Sequence, residues 1–139
     1  MAFNIKARGA SETGTIELKA GDGSPLNDDA GNVLSVTVHS PASKQWEAAQ
    51  AAMNRKRAER LRKNGGKLEA ALDNAKADQV AFLCAITIRF NGDIEHPDAE
   101  NAADLARAIY EDDTLGFIRD HVFAESGDWA SFTGGSAKG

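Results

Sequence analysis

Three histidines, one cysteine and many carboxylates are the side chains here that could act as bases, nucleophiles or metal ligands. His39, His96 and His121 have no second histidine three or four residues away and lie in no Cys/His cluster. A metal site would therefore need convergence that the spacing does not supply, and surface or structural places are expected for all three. Cys84 sits in an apolar stretch, where a thiol acts as a small hydrophobe, and as the sole cysteine it allows no intramolecular disulfide and fits a reducing cytoplasm. The acidic segment from Asp22 to Asn32 offers Asp28, Asp29 and Asn32 as oxygen donors. It lacks the ligand order and terminal glutamate of a calcium loop and carries Pro25 in its middle, so it reads as a solvated hairpin tip. Gly21-Asp22-Gly23 has no following Lys-Ser/Thr pair or helix and is no phosphate loop. Carboxylates crowd the last third of the chain without a base at a telling distance. No catalytic, cofactor-binding or metal-ligating residue is expected, and the chain reads as a non-enzyme.

The strongest physical feature is basic. Lys44, Arg55, Lys56, Arg57, Arg60, Arg62, Lys63 and Lys67 fall in a segment, residues 41–67, that holds only two acids. The 139 residues carry 16 Lys+Arg against 21 Asp+Glu, a net charge of −5, yet residues 41–67 alone stand at +6 and residues 91–139 at −8. A basic helix can track phosphates with salt-dependent, sequence-blind affinity. Against that reading, the cations are distributed around much of the helix and the whole chain is acidic. With aromatics at 6% of residues, a base-stacking sheet is also disfavoured. Nucleic-acid binding through residues 44–67 stands as the alternative function; pairing of the two charged regions, within one chain or between copies, accounts for the same asymmetry.

These residues need elements to position them. Residues 1–14 have no sustained period and read as a flexible arm, and 133–139 as a flexible tail, leaving one domain over 15–132. Thr15–Lys19 alternates polar and apolar, and Val33–Val38 is β-branched and nearly alternating, so both read as half-buried strands joined by a long polar connection. Two strands alone are marginal in water, so the hairpin must lie on helices or join a partner's sheet. Ser40 as N-cap and Pro41 at the first helical position open a helix through Trp46, Ala49, Met53, Arg60 and Leu61, ended by Gly65-Gly66. Leu68, Leu72, Ala75, Gln79, Phe82 and Leu83 mark a second helix. It is expected to run to about Thr87, although Ile86–Phe90 fits a short strand equally well. Pro97-Asp98 begins a third helix, and Asp112-Asp113-Thr114 caps a fourth carrying Leu115, Phe117, Ile118, His121 and Val122. The expected class is α+β, an N-terminal β-hairpin packed on a mainly α-helical domain of about four helices. The longest apolar run, Val80–Ile88, is far short of the roughly 20 residues that span a bilayer, and no secretory signal is read at the N-terminus.

The order of these pieces carries a resemblance. The run Leu26-Asn27-Asp28-Asp29-Ala30-Gly31-Asn32 leads into Val36-Thr37-Val38-His39-Ser40-Pro41-Ala42-Ser43-Lys44-Gln45-Trp46. After the basic helix come Phe82-Leu83-Cys84-Ala85-Ile86-Thr87, Ile109-Tyr110-Glu111-Asp112, Leu115-Gly116-Phe117-Ile118-Arg119-Asp120-His121-Val122 and Gly127-Asp128-Trp129-Ala130-Ser131-Phe132. Over residues 15–132 this resembles the tail assembly chaperones of long-tailed bacteriophages. The resemblance implies a protein of the host cell cytoplasm that coats the tape measure protein, keeps it soluble while tail tube subunits polymerise around it, and is absent from the finished virion. It also implies a longer form of the same protein made by programmed frameshift, with Gly134–Gly139 as the end of the short form or a linker into the long one. A homo-oligomer is compatible with it, and no membrane or cofactor is called for. Trp129, Phe132, Trp46 and Phe117 are the candidate partner contacts, with a core role as the alternative for each.

Overall fold

Thr13–Glu17 (β1) and Ser35–His39 (β2) pair antiparallel, with Ile16 opposite Val36 and Thr15 opposite Thr37, in a computed structural model that describes residues 2, 4–63, 65 and 74–133. Alternation places Ile16, Val36 and Val38 on the covered face of the sheet. Both strands lie about two residues from their expected limits, because the hairpin connection is itself ordered. Leu26 donates its N–H to the Leu18 carbonyl and accepts from the Leu34 N–H, while Leu18 N–H bonds Leu34 C=O. The connection thus returns as a short limb between two turns, held by single bridges from Lys19 to Pro25 and from Asn27 to Val33.

The sheet has a third strand from the same chain. Lys44–Lys63 (α1) and Ala75–Ile86 (α2) are followed directly by Thr87–Asn91 (β3), which pairs antiparallel with β2 in the order β1-β2-β3. The expectation of helix to Thr87 is therefore corrected by one residue. The Thr87 N–H still bonds the Leu83 carbonyl, but its backbone is extended, and β-branched Thr87 and Ile88 suit a strand. The side chain of Asn91 donates to Ser35 Oγ at 3.1 Å and to Thr37 Oγ1 at 2.9 Å, tying β3 to β2 despite a register shift near Val38.

Two helix starts also differ from expectation. Ser40 caps only a turn: its hydroxyl donates to the Ser11 carbonyl and accepts from the Ala42 N–H. Ser43 is the cap of α1, accepting the Trp46 N–H at 3.1 Å and donating to the Ser40 carbonyl at 2.7 Å. Pro97-Asp98 is a turn as well. The third helix begins at Ala102 (α3, Ala102–Glu111), where Asn101 accepts the Asp104 N–H and meets the orphan donors that Pro97 does not. Asp112 then caps the single turn Asp113–Leu115 ahead of Gly116–Ser126 (α4), and Trp129–Phe132 closes the described chain as a 3-10 turn.

The strands' covered face meets α2, α3 and α4 in one core: Ile16, Leu18, Val36 and Val38 with Leu83, Ile86, Tyr110 and Val122, all at most 5% exposed. Among the described residues the architecture is α+β, a three-stranded antiparallel sheet with four helices. Among the described residues no helix is long and apolar enough to cross a membrane. Within the expected arm, Ile5–Arg8 forms a 3-10 turn and the Ser11 N–H bonds the Phe132 carbonyl at 2.8 Å, so the two ends of the domain meet. The second helix's expected residues Leu68 and Leu72, and the tail Gly134–Gly139, lie outside the described residues.

Candidate partner-binding surface

The histidines are held by structure. His96 Nδ1 accepts the Asp98 N–H at 3.0 Å, which leaves Nε2 to donate to Asp112 at 2.8 Å. Asp112 also accepts from the hydroxyl and the N–H of Thr114, and these bonds, the hydroxyl first and then His96, hold its carboxyl down to about 2. Histidine, aspartate and threonine thus meet, but the carboxylate sits in the middle. Both imidazole nitrogens are spent, so the histidine has no lone pair facing the hydroxyl to take its proton. His121 Nε2 meets the Glu17 carbonyl at 3.0 Å, and His39 is the last residue of β2. Asp28 turns its carboxylate on its own loop, accepting the N–H groups of Ala30 and Asn32 at 2.9 Å each. Among the described residues no group of three or more His, Cys, Asp or Glu is placed to hold a metal. Burial pushes the Cys84 thiol up, away from the thiolate that a nucleophile requires.

The cations of α1 divide into two sets. Arg60 reaches the buried Asp78 of α2 through two bonds of 2.6 and 2.7 Å, and Arg57 stands 3.6 Å from the same carboxylate. The Arg60 bonds, reinforced by the surrounding positive charge, hold the Asp78 carboxyl below its ordinary value. Lys44, Arg55, Lys56, Arg62 and Lys63 are exposed, and among the described residues none makes an ion pair. Lys67 lies outside the described residues. The acids of the C-terminal third pair elsewhere: Asp113 with Lys76, Asp112 with His96, Glu111 with Arg107 and Asp120 with Arg119. The described residues show no ion pair between α1 and that acidic third, so the internal version of the expected charge pairing is not found there.

Between α1 and α2 lies an apolar cleft of about 130 Å³, walled by Ala49, Ala52, Met53, Ala81, Phe82 and Ala85. Alanines at positions 81 and 85 on α2 and at 49 and 52 on α1 keep its walls low, while Met53 and Phe82 supply bulk at its base. Lys56 and Asp78 complete the lining. Phe82 is braced edge-on by Trp46 at 5.6 Å and by Phe123 at 5.6 Å. Sequence reading missed this cleft and Asp78; an acid inside the apolar Ala75–Ile86 stretch was the available signal, and the helix pairing that gives it meaning is tertiary.

The four predicted contact residues are scattered. Trp129 is 54% exposed and Phe117 37%, at opposite ends of α4 and its extension. Trp46 is half-buried against Phe82. Phe132, 2% exposed, is a core residue whose ring fills the space beside Gly14, so it cannot meet a partner without leaving that site. Comparisons with protein-family models, curated proteins and solved structures find no match to this chain.

Proposed function

We propose that this chain is a non-enzymatic tail assembly chaperone of the long-tailed phage kind, gripping apolar helical stripes of a tape measure protein until tail tube subunits replace it. The observation that supports this reading best is the open apolar cleft on the antiparallel α1–α2 pair, joined to the order of sequence segments that resembles that family. Low alanine walls let a third helix approach closely, and a helix laid in such a groove is a common mode of peptide recognition. A contact of about 400 Å² at roughly 25 cal/mol per Å² gives a gross term near 10 kcal/mol, most of which the entropy of association removes. Single grips are then weak and reversible, and many along one long partner become strong together. On this reading the protein works in the host cytoplasm and leaves before the virion is complete, and a longer frameshifted form of itself is a partner. Co-expression with the tape measure protein of the same genome tests it: the partner should move from the insoluble to the soluble fraction and co-purify. An insoluble, unbound partner would remove the proposal.

A further inference from the structure

The cleft between α1 and α2 is apolar within and positive along one rim. Lys56 lines it, and Lys63, seven residues on, lies on the same face of α1. Arg55 and Arg62 extend the positive field along the exposed end of that helix. Asp78, the one acid of the wall, is already neutralised by Arg60 and Arg57. Glu59 makes no ion pair with Arg55, Lys56, Arg62 or Lys63. Lys56 adds to the field on Asp78, but neither it nor Lys63 makes an ion pair among the described residues, so the rim carries net positive charge, and such charge beside an apolar groove selects among partners by complementarity.

We propose that the α1–α2 cleft takes an amphipathic helix whose apolar stripe is flanked by aspartate or glutamate, with Lys56 and Lys63 pairing those acids and rejecting stripes flanked by lysine. This rests on the helix-gripping function proposed above and names the chemistry of its partner. Rim charges act mainly on encounter rate and salt dependence, so acid-flanked stripes are captured faster and hold less well as salt rises.

The test uses the full chain and two synthetic helical peptides with the same leucine and alanine stripe, one flanked by glutamate and one by lysine. Wild type should bind the glutamate peptide at least about tenfold more tightly at low salt, with the difference shrinking at high salt. The Lys56→Glu/Lys63→Glu double variant, altered only at exposed positions, should reverse that preference. Ala85→Arg, which fills the cleft, should weaken both peptides. Equal binding of the two peptides by wild type, or a preference untouched by the charge reversal, overturns the rim assignment while leaving helix gripping intact. Binding of neither peptide overturns both. A preference for a DNA duplex over the glutamate peptide, lost in the double variant, assigns the rim to phosphate instead.

Discussion

Asp78 shows most clearly how one side chain ties sequence to fold. It is 2% exposed, yet it carries a charge, and two guanidinium groups from another helix make that tolerable. Removing one partner of such a pair leaves the other uncompensated. Asp78→Ala should cost about 2 kcal/mol at neutral pH in urea unfolding, moderated by the partial exposure of Arg60. Because the folded pKa lies below the unfolded value, near 3.9, this stabilisation is complete above about pH 5 and disappears as pH falls through the folded value. The gap between wild type and variant should therefore narrow as the pH falls below the ordinary carboxylate range; a gap that stayed constant through the acid limb would mean that the pair does not carry it. The partnership could not be read from the sequence. Asp78 lies 18 residues beyond Arg60 in the chain, and the basic run reads equally well as a solvated face.

At the scale of elements, long periods were readable and caps less so. The alternation of Thr15–Lys19 and the β-branching of Val33–Val38 mark both strands, with limits about two residues from the observed Thr13–Glu17 and Ser35–His39. At the start of α1, Ser40 and Ser43 are both capping residues, and only the turn that bonds Ser40 to Ser11 decides between them. Ser43→Ala should lose about 1 kcal/mol, since it strands the Trp46 N–H while the Ser40 carbonyl keeps the Ser43 N–H; thermal or urea unfolding measures it, and a neutral outcome would return the cap to Ser40. Strand β3 was ambiguous for a different reason. Ile86–Phe90 alternates apolar and polar for only five residues at the end of an apolar helical stretch, too few to decide, and Thr87–Asn91 is strand because β2 offers a free edge and Tyr110 bonds the Thr87 hydroxyl at 2.8 Å. The closing 3-10 turn is seated by a glycine: a Cβ on Gly14 would lie 2.5 Å from the Phe132 ring. Gly14→Ala should lower stability by about 1–3 kcal/mol and speed exchange of the Ser11 amide, which bonds Phe132. Unchanged Ser11 exchange would show that the ring has room to move.

For the whole molecule, the net charge of −5 conceals a basic helix end and an acidic C-terminal third that make no ion pair with each other among the described residues. The sequence foretold the asymmetry and the α+β class. It did not foretell that the basic segment would border an apolar cleft, since that needs α1 and α2 side by side. On the proposed function these features form one device, a low-walled groove for a partner's apolar helix. Soluble yield of the tape measure protein in cells co-expressing either the wild-type chain or its Ala85→Arg variant tests it most directly. The proposed function predicts a soluble, co-purifying partner with wild type and a largely insoluble one with the variant, both chains being folded to the same extent by circular dichroism. Equal rescue by the two would place the grip elsewhere on the molecule, and rescue by neither would contradict the chaperone function itself.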